Sequence, residues 1–307
     1  MEILELHGAT LQGLTLGSHL VIPEGTAGVV VKDSKPLDVL PPGDHLLESS
    51  LLPLTLQKLK IKPGALPTGP LPAAVFLVQT QSPFTVPWRC QAILSKNVKS
   101  GLTYTTLEGR TTVQVTDPGR FCGTVLGGAG PELSSGALTP AQAVTKVLAG
   151  NLQALAADAV PKLNILPEQA ASAQEAIRTN VGHAAAGWLA SAGLHCTAFD
   201  LDAVAAPRRT PCVVCKSATA PTGYALFQRN ISLFYVRYTA KKEGNFCVPC
   251  ALKTAGAYNG VMLVIGWWGL LGLIFAPIYF AQNLYYLTRI LTGPKLASTA
   301  DQAAGGG

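Results

Sequence analysis

Short apolar runs broken by proline and glycine occupy the chain from Gly17 to about Gln79. Residues 29–31 are all valine, and the segments "PPGDH" and "KPGALPTGP" are typical of turns. Further along, Thr111, Val113 and Val115 alternate with polar neighbours, as in a strand with one buried face. These patterns predict a series of β-strands over the first part of the chain.

The apolar spacing changes to that of helices after these strands. Thr139 is suited to cap a helix and Pro140 to open it, and the predicted apolar stripe is Val144, Val147, Leu148, Leu152 and Leu155. A second helix is predicted from near Pro167, ending at Gly193, with the stripe Ile177, Val181, Ala184 and Trp188. The segment "HCTAFDLDAVAAP" then predicts a closing strand. Strands followed by two helices and a strand indicate an α+β domain over residues 17–207, after an extension of residues 1–16.

A long apolar run near the C-terminus predicts a membrane helix. No charged residue separates Lys253 from Arg289, and the 21 residues from Val261 to Ala281 match the roughly 20 that cross a bilayer core. A buried core helix is the alternative, but little chain remains to surround one. We expect the transmembrane segment within residues 257–288 and a flexible tail over 289–307.

Aromatic residues and a proline refine this prediction. Trp267 and Trp268 on one side of the run and Tyr279 on the other resemble interfacial anchors, and Pro277 is expected to kink the helix. Because the tryptophans lie inside the run, an interfacial helix followed by a shorter span from about Gly266 is a second interpretation.

Four of the seven cysteines form two matched pairs, Cys212-x-x-Cys215 and Cys247-x-x-Cys250. Two such knuckles supply a tetrahedral sulfur shell, which favours structural zinc over redox-active thiols and leaves no open position for catalysis. The strand-like segments "GYALFQ" and "ISLFYVRYT", joined at "RN", predict a hairpin that brings the knuckles together. We therefore predict a zinc ribbon over residues 208–253.

Composition, charge and cysteine content indicate the cellular compartment of the protein. Only 13% of residues are charged against 48% hydrophobic, and the net charge of +6 is scattered. The N-terminus lacks a signal-peptide pattern, and the odd cysteine count favours a reducing compartment. We expect the N-terminal part in the cytoplasm, and lipid headgroups in contact with Lys241, Lys242, Lys253 and Arg289.

An enzyme and a nucleic-acid-binding protein are the alternatives to a membrane-attached protein. The five histidines, His7, His19, His45, His183 and His195, lie in no catalytic motif, and no phosphate-binding loop occurs, so no enzyme is predicted. Basic and aromatic residues around the knuckles are typical of single-strand binding, namely Arg208, Arg209, Arg229, Arg237, Lys241, Lys242, Phe234, Tyr235 and Tyr238. Beside a membrane the same cations more simply face lipid phosphates, so nucleic acid is the less favoured partner.

The segment "SHLVIPEGTAGVVVKDSKPLDVLPPGDHLL" resembles the opening of an SPFH/band 7 domain, found in stomatins, prohibitins and flotillins. The matching features are Pro23-Glu24-Gly25, the valines 29–31, Lys32-Asp33 and Pro42-Gly43. "VTDPGRF" is similar to the family's strand-to-helix step and "AGLHCTAFDLDAVAAP" to its closing strand. The resemblance is closest to a virion-core-protein-like bacterial branch, and the cysteines with "GWWGLLGLIFAPIYFAQN" resemble a zinc-ribbon and Gly-Trp-Trp-Gly membrane module.

The resemblance implies a scaffold that oligomerises on membranes and organises lipids or partner proteins, often proteases. This chain departs from better-known members because its apolar segment comes last and no heptad repeat follows. We therefore expect a single-pass protein of the cytoplasmic (inner) membrane that self-associates and carries a structural Zn²⁺ ion beside its anchor. The alternative is a zinc ribbon that binds nucleic acid or a protein partner at the membrane surface.

Overall fold

The computed structural model describes residues 4–6, 15–48, 50–60, 73–97, 101–218, 222–234, 236–266 and 268–292. The chain divides into two compact units. The first comprises Met1–Cys90, Leu107–Ala159 and Ala176–Ala203, and the second comprises Gln91–Thr106, Val160–Glu175 and Val204–Gly307. Most of the predicted N-terminal extension and nearly all of the tail lie outside the described residues.

Six short strands open the first unit: β1 Leu4–Leu6, β2 His19–Ile22, β3 Thr26–Lys32, β4 Lys35–Leu40, β5 Gly43–Leu46 and β6 Ala74–Gln79. Four of them form an antiparallel sheet in the order β1-β6-β3-β4, and β2 pairs with β5. Their buried side chains, among them Ile22, Val30 and Val75, form one hydrophobic cluster with Leu52 and Leu56 of helix α1, Pro53–Leu59. The valine run of the sequence thus lies in the core.

Longer strands follow: β7 Phe84–Asn97, β8 Gly101–Val115, β9 Leu194–Val204 and β10 Arg208–Arg209. Strand β8 pairs with β7, β9 and β10. The predicted alternation is confirmed, because Thr111, Val113 and Val115 are buried while the residues between them are half-buried. The indole N–H of Trp88 donates to Thr111 Oγ1 at 3.0 Å, and the ring stacks on Phe199 at 5.5 Å.

Three long helices lie between β8 and β9 in the chain, α2 Pro118–Ser134, α3 Pro140–Ala159 and α4 Gln174–Ser191, and α2 packs against α3 and β4. The prediction of α3 is confirmed: the backbone N–H of Gln142 donates to Thr139 Oγ1, and Gln142 Oε1 accepts from the Thr139 N–H. Helix α2 was not predicted from apolar spacing, because glycines and Pro131 inside it lower its helical propensity, and only the resemblance of "VTDPGRF" to a strand-to-helix step implied it. Its start is nonetheless capped by Asp117, which accepts from the Arg120 N–H.

Helix α4 begins later than predicted and buries a neighbouring stripe. Residues Pro167–Gln169 form a separate 3-10 turn, and the α-helix starts at Gln174. Its buried residues are Ile177, Val181, Ala185 and Leu189, so the predicted Ala184 and Trp188 are each one position off. The predicted stop at Gly193 is confirmed by its φ of +77°, a left-handed conformation that favours glycine.

The C-terminal part of the second unit comprises β11 Thr222–Phe234, β12 Val236–Cys247, α5 Val248–Ile265, β13 Trp268–Gly269 and α6 Leu270–Thr292. The predicted turn at Arg229-Asn230 is wrong: β11 runs through it, and the hairpin reverses between the paired residues Leu233 and Val236. The predicted continuous helix over 261–281 is also wrong, because α5 ends at Ile265 and a new helix starts at Leu270. The second interpretation, two helices with a break near Gly266, gives the position of this break correctly.

Candidate metal centre and membrane segment

The first cysteine knuckle is a tight turn that follows β10. The Lys216 N–H donates to the carbonyl of Cys212 at 2.9 Å, and the Cys212 N–H donates to the carbonyl of Ser217 at 3.0 Å. These bonds curl the chain so that Cys212 and Cys215 present their thiols to the same side. The Val213 N–H also donates to the carbonyl of Asn245 at 2.8 Å, which joins this knuckle to the end of β12.

The second knuckle lies at the junction of β12 and α5. Cys247 is both the last residue of the strand and the N-cap of the helix, and Pro249 lies in the first turn, where a missing N–H costs nothing. Cys250 follows in the same turn. A helix N-terminus carries unpaired N–H groups and a partial positive charge, so it stabilises thiolates placed against it.

The four sulfur atoms are close enough for one ion. All lie within 4.8 Å of one another, and Cys215 Sγ is 3.7 Å from Cys247 Sγ. A tetrahedral zinc site with Zn–S bonds of about 2.3 Å places its sulfurs about 3.8 Å apart. Residues 212, 215, 247 and 250 therefore fit a four-sulfur metal site, as the sequence predicts, and soft thiolate ligands suit zinc.

Burial and hydrogen bonding shift the pKa values of the thiols in the cluster. Burial acts to raise the pKa of Cys212, but N–H groups of Cys215, Cys247 and Val214 bring that pKa down to about 6 from an ordinary 9.0. For Cys247, burial together with the neighbouring thiols raises the pKa. One thiolate is thus favoured while further ionisation is opposed, and a divalent cation would supply the charge that all four require.

Asn245 supports the cluster from two residues upstream of Cys247. Its side chain is 1% exposed, and its Oδ1 accepts from the Leu102 N–H. Its Nδ2 donates to the carbonyls of Leu102 and Thr210, both at 3.0 Å. A single amide therefore ties the end of β12 to β8 and to the segment before the first knuckle. No pattern in the sequence marks this residue.

A second polar group supports the middle of the hairpin. Glu243 accepts from the Tyr224 hydroxyl at 2.7 Å and forms an ion pair with Lys96 at 3.0 Å. The hydrogen bond from Tyr224, followed by that from Lys96, lowers the pKa of the Glu243 carboxyl. These contacts link neighbouring strands across the face that leads to the cysteines.

The two C-terminal helices run antiparallel and are joined by buried amides. Asn283 of α6 donates from Nδ2 to Asn259 Oδ1 of α5 at 2.7 Å. The same side chain accepts from the Gln228 N–H at 2.9 Å and donates to the Gln228 carbonyl at 2.7 Å. It thereby satisfies the open edge of β11, as a neighbouring strand would. An asparagine within an apolar run was the sequence signal for this contact, and it was missed.

The residues predicted to contact headgroups lie on β12 and on the two C-terminal helices. Lys241 and Lys242 are on β12, paired with Gln228 and Phe227. Lys253 is exposed on α5, and Arg289 is exposed on α6 with its guanidinium 5.5 Å from the Tyr285 ring centre. Their contact with lipid remains a prediction.

The predicted anchor residues are spread over the turn and α6. Trp267 lies outside the described residues, and Trp268 is described by its backbone alone, which pairs with Leu233. Pro277 is exposed inside α6, and Tyr279 packs at 6.1 Å from Phe275. Their role at an interface also remains a prediction.

Within the described residues, one helix is long and apolar enough to cross a membrane by length and composition. It is Val248–Ile265, with a mean hydropathy of 1.3 over 18 residues, of which 28% are buried. Its position is shifted towards the N-terminus relative to the predicted Val261–Ala281.

Several of the basic and aromatic residues around the knuckles are engaged within the unit. The Arg229 guanidinium lies 5.2 Å from the Tyr258 ring centre, and β10, which carries Arg208 and Arg209, pairs with β8. Tyr238 is 59% exposed. The side chains of Phe234, Tyr235 and Arg237 lie outside the described residues. Single-strand binding at this surface therefore stays a prediction.

The comparisons with known proteins identify the larger part of the chain. The model of the SPFH domain-Band 7 family matches residues 11–220. The chain belongs to the SPFH domain-Band 7 family. Proteins of this family are membrane-associated, and the resemblance seen in the sequence is thereby confirmed at the level of the family. No curated protein matches the chain. The match ends at residue 220, so β11, β12 and both C-terminal helices lie beyond it.

Proposed function

We propose that this SPFH protein is a membrane-tethered scaffold whose zinc ribbon links the SPFH domain to a C-terminal anchor. The observation that carries the proposal is the position of the four cysteines. Cys212 and Cys215 lie at the end of the family match, which covers residues 11–220, and Cys247 caps the helix that opens the apolar segment. A metal bound there would fix where the anchor begins and how it is oriented against β11 and β12.

Zinc would act as a structural ion in this scheme. Cys212, Cys215, Cys247 and Cys250 would hold it, and their four thiolates leave no coordination position for a substrate. Because the folded hairpin has a small core, the metal would supply much of its stability. Thiolates also favour the cytoplasmic face, where the cell keeps them reduced.

The scaffold role rests on family membership. SPFH proteins are generally non-enzymatic scaffolds that associate with membranes and with one another. We infer that copies of this chain assemble on the inner membrane of a bacterium and organise lipids or membrane proteins there, a protease being one class of partner. The branch within the family, the oligomer and the partner belong to this proposal.

Fractionation with metal analysis tests the proposal. The full chain is expected in the membrane fraction, released by detergent and not by high salt, with about one zinc per chain. Cys215→Ser should lower the bound zinc at least tenfold, whereas Cys196→Ser, outside the cluster, should leave it unchanged. Protein that stays soluble without detergent, or that purifies under reducing conditions without zinc, would refute it. A strict monomer in detergent would refute the assembly.

A further inference from the structure

The apolar end of the second unit is a helical hairpin that turns back on itself. The backbone of the turn between α5 and α6 pairs with the end of β11, at Leu233 with Trp268 and Phe234 with Gly269. A Cβ on Gly272 would lie 2.2 Å from the Gly266 carbonyl oxygen and 2.9 Å from Ser232 Cβ. Glycine is therefore required for α6 to cross so close to the turn.

The two far ends of the hairpin lie together at the metal-site end. Ala251 and Ala255 of α5 belong to the hydrophobic cluster that includes Phe227 and Phe246. Tyr286, Leu287 and Ile290 of α6 pack against that same cluster, as do Tyr258 and Cys250. Residues before and after the apolar run thus share one side, where a single transmembrane helix would separate them.

The turn end of the hairpin is exposed and apolar. Leu263 is 58% and Val264 69% exposed on α5, and Leu273 and Ile274 are 57% and 55% exposed on α6. No charged residue occurs between Lys253 and Arg289, which lie at the metal-site end of their helices. Below the apolar end come the amides of Asn259 and Asn283, then the two cations. This gradation matches a bilayer entered from one side, with tyrosines and cations at headgroup level.

The dimensions fit one leaflet. At 1.5 Å per residue, α5 extends about 18 Å from Lys253 to Ile265, and only about 9 Å from Asn259. A hydrocarbon core is about 30 Å thick, so this arm reaches towards the midplane and not across it. The first half of α5 is occupied by the metal cluster and its packing, so it is not free to lengthen the insertion.

We propose that α5 from Gly260 onward and α6 up to Ala281 form a hairpin that inserts its apolar end into one leaflet of the membrane, with both ends on the metal-site side. The occupant of the exposed surface is the acyl region of the lipid. This inference rests on the proposed membrane attachment and replaces the single crossing expected from the sequence. It places the C-terminus in the cytoplasm, in the same compartment as the SPFH domain.

Reporter fusions to the full chain in a bacterial host test the topology. A fluorescent protein after Gly307 should fluoresce, and alkaline phosphatase at the same position should be inactive, with the protein in the membrane pellet. The opposite pair of results in the pellet would overturn the hairpin while leaving membrane attachment intact. Wild-type protein in the soluble fraction would instead overturn the proposed function, and the hairpin with it.

Paired lysine variants test which end enters the lipid. Leu263→Lys with Ile274→Lys charges the turn end, and Leu252→Lys with Leu291→Lys charges leucines at the other end that are about half exposed as well. Flotation of each purified protein with phosphatidylcholine–phosphatidylglycerol vesicles measures binding. The first pair should lower the bound fraction at least tenfold, since lysine is strongly disfavoured within hydrocarbon.

The control pair should bind within about twofold of wild type, and zinc content should be unchanged in both, which reports intact folding. Equal loss from both pairs, or no loss from the first, would overturn the inference. If the first pair instead converts a soluble wild-type oligomer to a monomer, the surface is a contact between copies and the lipid proposal is wrong.

Discussion

Replacing Asn245 by alanine should destabilise the metal-bearing hairpin more than the loss of any single surface contact would. The side chain is buried, and its amide bonds the Leu102 N–H and the carbonyls of Leu102 and Thr210. The Leu102 carbonyl keeps a bond from the Thr210 N–H, but the Leu102 N–H loses its partner. A buried orphan donor costs about 1–3 kcal/mol and a lost carbonyl bond about 1 kcal/mol, so we expect about 3 kcal/mol in total.

Local opening of β12 is the quantity to measure, because the effect belongs to one unit. Hydrogen exchange followed by mass spectrometry should show amides of residues 236–247 exchanging roughly 100-fold faster in Asn245→Ala, as about 3 kcal/mol implies. Zinc release to a chelator should accelerate in parallel. Asn245→Asp should be no better, since a carboxylate faces two carbonyl oxygens.

A nearby substitution with the opposite sign provides the control. Thr103 is 1% exposed, and its hydroxyl has no hydrogen-bond partner among the described residues. Thr103→Val keeps the shape and removes the buried polar atom, so it should stabilise the same region by about 1 kcal/mol. Exchange in Asn245→Ala within threefold of wild type, or destabilisation by Thr103→Val, would show that this reading of the buried polar groups is incorrect.

Three further predictions concern the first unit. Gly193→Ala should lower the free energy of unfolding, measured by thermal melting, by at least 2 kcal/mol, because its φ is +77° and a Cβ would lie 2.4 Å from a backbone oxygen. Gly187→Ala, with open space around the residue, should be neutral or stabilising, and equal effects of the two substitutions would contradict this prediction. Trp88→Phe should cost about 1–3 kcal/mol by leaving a buried hydroxyl without its indole donor, and an unchanged melting temperature would count against it. Burial raises the pKa of Cys90 to about 11 and that of Cys122 to about 12. At pH 8 iodoacetamide should therefore label both thiols at least 100-fold more slowly in the folded protein than in protein unfolded with urea, as measured by peptide mass spectrometry. Equal labelling rates would exclude the burial described.

Local patterns predicted what local physics decides. The alternation in β8, the cap at Thr139 and the stop at Gly193 each depend on residues within a few positions of one another. The cysteine spacing was equally direct, because two residues between thiols already position both on one ion. Family membership followed from turn residues and strands that the structure retains.

What the sequence missed depends on contacts between distant segments. A turn at Arg229-Asn230 is reasonable by composition, but the pairing of β11 with β12 along their whole length moves the reversal beyond the last pair, Leu233 with Val236. Hydropathy alone does not show the break after Ile265; the tryptophans inside the run indicated a break near Gly266, but not that the second helix turns back along the first. Asn283 gives the reason for the return, since its partners are 24 and 55 residues away.

The amide of Asn283 has a consequence for the order in which the protein is made. The edge of β11 at Gln228 is closed by a residue 55 positions later in the chain. At about 5–20 residues per second, a ribosome needs roughly 3 to 11 s to supply it. During that interval the first knuckle and both strands have emerged, but the strand edge and the apolar start of α5 are uncovered. The nascent ribbon thus exposes a strand edge until α6 is synthesised.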